Sequence, residues 1–360
     1  REAREMLYTG LVITVFSSCI LTILLQRYAF FIADTFLKDT RCSDLLVILS
    51  YALPFAAVHS CIVGYYLGQK ETKVPAVSQL LEQILRVSSV FLIFQLLSRQ
   101  GAAIHISIAV AGLIAGEIAS SFYCLYKIRD GALLAPVPRP DGRNFLRLGK
   151  ELLGLSAPLT ASRVLLNILQ SVESVSIPVR LQMYGMVRGD ALGTYGVLTG
   201  MALPCILFPS AVTNAVSTML LPTVAEIQAV DNKERMSSLV QKCVYSCIFL
   251  GSICCVFLLC FGNWMGEILF HSSLAGNFIT TMSWLCPFLY TNNTLISMLN
   301  GIGKTTLSFA INSASLGIRI ASVFFLIPVT GIYGYLWGML ASQIFTFLVS
   351  LVCIYRYIKE

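Results

Sequence analysis

Six ionisable residues sit where charge is expensive: Glu82, Arg86, Glu117, Arg163, Glu173 and Arg319 all fall inside long apolar stretches of the chain. At the middle of a bilayer each would cost roughly 2.5–3.5 kcal/mol, so none of them can face acyl chains. Helical spacing groups them with uncharged polar residues. Gln79, Glu82, Gln83 and Arg86 fall at i, i+3, i+4 and i+7 and make one polar stripe. A second stripe runs through Ser308, Asn312, Ser315, Arg319 and Ser322, and a third through Thr160, Arg163, Asn167, Gln170 and Ser174 with Glu173 on its flank.

Three helices therefore present arginine inward. Guanidinium groups in a hydrated cavity suit an anionic headgroup such as a phosphate or pyrophosphate, which they can grip with two parallel hydrogen bonds. Glu82–Arg86 and Arg163–Glu173 read equally well as ion pairs that knit the bundle. Arg319 has no acidic neighbour on its own helix, which makes it the first candidate for ligand contact. Glu117 is a candidate for ion coupling or a simple hydrogen-bonding partner. Thr291, Asn292, Asn293 and Thr294 either line a cavity or bond neighbouring helices. His59, His105 and His271 are scattered along the chain and give no metal-ligand spacing, and no metal or cofactor motif is present. Gly301-Ile302-Gly303-Lys304-Thr305 echoes a phosphate-binding loop but lacks its first glycine and a preceding strand.

The elements that carry these residues are membrane helices. The 360 residues are 56% hydrophobic and only 12% charged, against about a quarter in soluble domains. Hydropathy predicts an all-α polytopic membrane protein with ten spans: 7–26, 45–67, 77–97, 104–126, 152–178, 193–221, 239–261, 278–300, 305–327 and 333–355. Residues 28–37 and 263–271 are too short to cross and read as interfacial turns. Pro204 and Pro209, and Pro54 and Pro287 elsewhere, predict kinks. Such a chain has no room for a separate catalytic domain, and an enzyme's acidic loop is missing: the longest loop offers only Asp130 and Asp141 among basic residues. The net charge of +7 does not signal nucleic acid, because sixteen loop Lys and Arg fall on the side of both termini and six on the other. That bias places both ends of the chain in the cytoplasm. The twelve cysteines form no CxxC pair and lie mostly in apolar runs, as small hydrophobes do.

A shift of 233 residues aligns 49–55 with 282–288 and 84–91 with 317–324, placing Arg86 on Arg319, Gln79 on Asn312 and Gly68 on Gly301. With a slightly different offset Gly116-Glu117-Ile118 pairs with Ser342-Gln343-Ile344. Spans one to four thus repeat as seven to ten, and two further helices are expected ahead of Arg1 in a six-plus-six bundle. The two lobes, related by a pseudo-twofold along the membrane normal, would be 1–126 and 151–360, with 127–150 as a basic cytoplasmic linker.

Gly64-Tyr65-Tyr66-Leu67-Gly68 with Val74-Pro75-Ala76, Glu82-Gln83-Ile84-Leu85-Arg86-Val87, Ala157-Pro158-Leu159-Thr160-Ala161-Ser162-Arg163, and Gly200-Met201-Ala202-Leu203-Pro204 leading to Phe208-Pro209-Ser210 resemble a known family. It is the polysaccharide-export and stage V sporulation protein B branch of the multidrug/oligosaccharidyl-lipid/polysaccharide (MOP) flippase superfamily. The resemblance implies a two-lobed MOP-type bundle in a bacterial inner membrane. The implied activity is outward movement of a polyprenyl-pyrophosphate-linked oligosaccharide or peptidoglycan precursor by alternating access. It implies a monomer whose partners are the lipid-linked glycan, membrane lipid and a coupling cation, sodium or proton. Its cavity-facing charges would be Glu82, Arg86, Arg163, Glu173 and Arg319. The alternative is a cation-coupled multidrug exporter of the same superfamily, although three Glu balanced by three Arg is not the acidic lining that cationic drugs favour.

Overall fold

The computed structural model of the chain describes residues 2–37, 39–69, 71–99, 107–130, 142–230 and 232–359. Helices account for nearly all of the described residues, and no strand occurs among them. In chain order they are α1 (Glu2–Phe31), α2 (Cys42–Ser50), α3 (Leu53–Gly68), α4 (Lys73–Arg99), α5 (Ser107–Asp130), α6 (Gly142–Met183), α7 (Arg188–Val197) and α8 (Leu203–Leu207). There follow α9 (Ser210–Ala229), α10 (Lys233–Phe270), α11 (Ser273–Met282), α12 (Cys286–Gly301), α13 (Thr305–Phe325), α14 (Ile327–Thr330) and α15 (Ile332–Lys359). Among the described residues eight helical segments are long and apolar enough to cross a bilayer, or nine if α2 and α3, bent by 47°, are one broken span. The expected span at 278–300 is divided between α11 and α12 by a 3₁₀ turn at Ser283–Leu285.

Proline does what its chemistry requires. Pro54, Pro204 and Pro287 stand in the first turns of α3, α8 and α12, where the missing N–H has no intrahelical partner to lose. The stretches read as interfacial turns are helical instead. α1 runs on into a π-helical segment, Ile32–Phe36, and α10 continues to Phe270, ending where His271 turns left-handed at φ 49°. No proline interrupts either stretch, so the backbone ladder simply continues.

The chain divides into two compact units, Arg1–Thr160 and Ala161–Glu360. The boundary falls within α6, whose first turns take up 142–150 of the expected linker; 131–141 lie outside the described residues. In the first unit α3 packs on α1 and α5, and α4 packs on α5, around Ile62, Tyr66, Val74 and Cys124. In the second, α12 packs on α10 and α15, and α13 on α15, with Phe278, Met282, Leu285, Tyr290 and Val323 fully or almost fully buried. The 233-residue offset carries Leu53 and Gly68, the ends of α3, onto Cys286 and Gly301, the ends of α12. Large apolar side chains such as Phe16, Phe91, Phe249 and Val256 remain exposed, as a lipid-facing surface demands. All twelve cysteines are free.

Close helix contact positions the polar residues. A Cβ on Gly116 of α5 would come within 2.9 Å of the Glu82 carbonyl oxygen on α4, and one on Gly112 within 3.0 Å of the Arg86 carbonyl oxygen. Only glycine lets α4 and α5 approach this closely. A Cβ on Gly338 of α15 would collide with the Ser322 side chain of α13.

Candidate functional site

The contact at Gly116 brings Glu82 and Glu117 towards a third group. His59, buried on α3, points its Nδ1 between them, 3.9 Å from Glu82 Oε2 and 3.7 Å from Glu117 Oε2. Its Nε2 lies 3.1 Å from Ser78 Oγ, and the Ser78 hydroxyl itself donates to the Pro75 carbonyl at 2.9 Å. A hydroxyl has one proton, already used, so Ser78 accepts from His59 Nε2–H. Nε2 therefore carries a proton, and Nδ1 faces the two carboxylates. Glu82 also accepts from Arg86 Nη2 one helical turn on, through its other oxygen. Glu117 Oε2 is buried and accepts no hydrogen bond, and Arg86 Nε is buried with no acceptor. His59, Glu82 and Glu117 thus converge with one ligand atom each, all within 4.8 Å of one another.

Sequence spacing found Glu82, Arg86 and Glu117 but passed over His59. The histidine lies 23 and 58 residues away from the two glutamates, so only helix packing joins them. Gln79 and Gln83, on the same stripe, stay exposed while Glu82 and Arg86 turn towards α5.

The second unit holds a different polar cluster. Glu173 on α6 is buried and grips Arg319 on α13 with two bonds of 2.8 Å, to Nε and Nη2. Arg319 also lies 3.2 Å from the Tyr335 hydroxyl on α15. Arg319 has its acidic partner on another helix, and the expected Arg163–Glu173 pair is corrected. Glu173 pairs with Arg319 rather than with Arg163, because the flank of α6 that carries Glu173 packs inward while Arg163 points out. Arg163, Asn167, Gln170 and Ser174 are all exposed and form a polar ribbon on an apolar helix. Among the described residues Arg163 has no carboxylate within ion-pair distance. Asn312 is half-buried, while Ser308, Ser315 and Ser322 are buried.

The repeat offsets place Asn292 where the first unit has His59, and Gln343 where it has Glu117. Asn292 Nδ2 donates to Gln343 Oε1 at 2.7 Å and to the Gln343 carbonyl at 2.9 Å. Asn293 donates to Asn214 Oδ1 at 2.8 Å, and the Thr294 hydroxyl lies 3.3 Å from Ser217 Oγ. Asn292, Asn293 and Thr294 therefore bond neighbouring helices, while Thr291 donates to the Pro287 carbonyl of its own helix.

The family model described as polysaccharide biosynthesis protein matches residues 1–228, and the one described as MatE matches 165–325. Stage V sporulation protein B of Bacillus subtilis is 26% identical over 304 residues, covering 84% of this chain and 59% of its own. The chain spans 49% to 62% of the length of the curated relatives it matches. Among solved structures, a lipid II flippase MurJ in an inward closed conformation superposes with a TM-score of 0.73 at 16% identity, covering 98% of this chain and 72% of that one. A MOP superfamily transporter from Pyrococcus furiosus gives 0.71 at 12% identity, covering 100% and 80%. At such identities the likeness establishes the fold, a MOP-type helical bundle.

Proposed function

The chain belongs to the polysaccharide biosynthesis protein family, and on that premise we propose that it is the transport core of a flippase for a polyprenyl-pyrophosphate-linked glycan. It works by alternating access in a bacterial inner membrane, with both ends of the chain in the cytoplasm. The observation that carries this reading is the exposed ribbon of α6. A guanidinium, two amides and a hydroxyl lie along one apolar helix, and lipid would not tolerate them. Among the described residues Arg163 has no carboxylate to satisfy it, which leaves its planar donors to the two phosphates of the carrier lipid. Asn167 and Gln170 add neutral donors that suit sugar hydroxyls. Arg86 and Arg319, each held by a glutamate, keep the bundle together and leave the substrate role to Arg163.

The test is movement of a fluorescent polyprenyl-pyrophosphate sugar across proteoliposomes containing the whole protein. Arg163→Ala should slow it about tenfold or more, the loss of one charge-assisted contact of roughly 1.5–3 kcal/mol. Arg163→Lys should recover only part of the rate. The MatE match over the second unit supports the alternative of a small-molecule exporter. Export of organic cations in an ion gradient, with no movement of the lipid-linked probe, would replace the flippase reading by that one.

A further inference from the structure

We propose that His59, Glu82 and Glu117 form a binding site for a divalent transition-metal ion of the Zn²⁺ class, within the first unit and independent of what the protein transports. The orientation of the imidazole ring comes first. Because Ser78 accepts from Nε2–H, His59 is turned so that Nδ1 faces two carboxylate oxygens at 3.7 and 3.9 Å. The three atoms converge too closely to be left as three bare lone pairs, and either a proton on Nδ1 or a metal ion among them relieves the repulsion; only the metal also draws in Glu117 Oε2 and Glu82 Oε2 together. Glu117 Oε2 is the second argument, since it is buried and accepts no hydrogen bond.

Distances and supports fit a metal. A tetrahedral ion with bonds of about 2.0–2.2 Å holds its ligand atoms roughly 3.3–3.6 Å apart, a small adjustment from the observed set. Imidazole nitrogen selects Zn²⁺ and its first-row neighbours over Na⁺, Mg²⁺ or Ca²⁺, which prefer all-oxygen shells. Two of the three ligands are braced from behind, as metal ligands generally are. Ser78, tied to the Pro75 carbonyl, orients the His59 ring, and Arg86 holds the other oxygen of Glu82. Three protein ligands leave a fourth position for water or an anion. With Arg86 counted, the two glutamates leave one negative charge, so the bound ion leaves one positive charge, which hydroxide or another anion in that position balances. The ion would tie α3, α4 and α5 together at one point.

The experiment uses the whole protein in nanodiscs, stripped with chelator and titrated with Co²⁺ as a visible stand-in for Zn²⁺, then with Zn²⁺ in competition. We expect one equivalent bound, with the intense visible bands of a tetrahedral cobalt site, and displacement by Zn²⁺ but not by Mg²⁺. His59→Ala and Glu117→Gln should each weaken binding on the order of 100-fold, and Ser78→Ala about tenfold through loss of ring orientation. His271→Ala should leave it unchanged. If His59→Ala fails to fold, His59→Asn replaces it, since asparagine already occupies the equivalent place in the second unit. Absence of Co²⁺ binding by the folded native protein overturns the proposal. So does binding that neither the histidine nor the glutamate variant weakens, which would put the ion on other groups such as the thiol of Cys124, beside His59 on α5.

Discussion

The α3–α4–α5 and α12–α13–α15 assemblies are built alike and furnished differently. Both have a helix that begins with a proline in its first turn, and both bring two helices close through a glycine, Gly112 in one and Gly338 in the other. At matching positions the first unit places His59 and Glu117, the second Asn292 and Gln343. The first pair does not hydrogen-bond and leaves a carboxylate oxygen unsatisfied, whereas the second closes on itself with two hydrogen bonds. The matched arginines differ too. Arg86 finds its glutamate one turn away on its own helix, while Arg319 finds Glu173 on α6. One backbone arrangement thus supports a charged, incompletely satisfied cluster and a neutral, satisfied one, so the scaffold does not dictate the chemistry. Function concentrates where groups are left unsatisfied, because closed networks add stability but offer nothing to a ligand.

Breaking the Glu173–Arg319 pair should have the largest effect. Arg319→Ala leaves a buried carboxylate alone and should destabilise the protein by about 3–5 kcal/mol, read as a large fall in the detergent melting temperature. Replacing both partners together, Glu173→Leu with Arg319→Met, should recover most of that loss; a double variant as unstable as the single would mean that the pair is more than a packing element. Loss of transport in Arg319→Ala alone therefore says little about substrate contact. Next in size is overpacking of the two glycine contacts. Gly112→Val and Gly338→Val should each cost about 1–3 kcal/mol, and unequal costs would show that the two units do not share the contact to the same degree.

Smaller again is the exchange that converts one cluster into the other. His59→Asn with Glu117→Gln should fold and melt within about 1–2 kcal/mol of the native protein, since the same residues bond in the second unit, and it should abolish metal binding. A folded double variant that still binds Co²⁺ at native affinity would dissolve the contrast. The smallest change is expected from Asn292→Ala, about 1 kcal/mol for the lost bonds to Gln343, measured by thermal unfolding with Gln343→Ala as the partner in a double-mutant cycle.

Local chemistry was legible in the sequence. Apolar runs gave helices, prolines marked breaks at Pro54, Pro204 and Pro287, and the i,i+4 spacing of Glu82 and Arg86 announced their pairing. The lengths of α1 and α10 were not legible, because 28–37 and 263–271 are each too short to cross a bilayer by themselves, yet nothing in them removes a backbone hydrogen bond from a helix already propagating.

By itself, then, the sequence determined that the protein lives in lipid, that it is helical, that it repeats, and that its intramembrane charges must find partners or water. These follow from the transfer energies and periodicity of residues near one another in the chain. Only the tertiary structure decided which partner each charge takes. Glu173 and Arg319 are 146 residues apart, and His59 joins Glu82 and Glu117 only because α4 and α5 touch at glycine. Helical spacing fixes the face a residue occupies, but which helix lies opposite is settled by packing, and in a bundle with many similar apolar faces no local pattern specifies that choice.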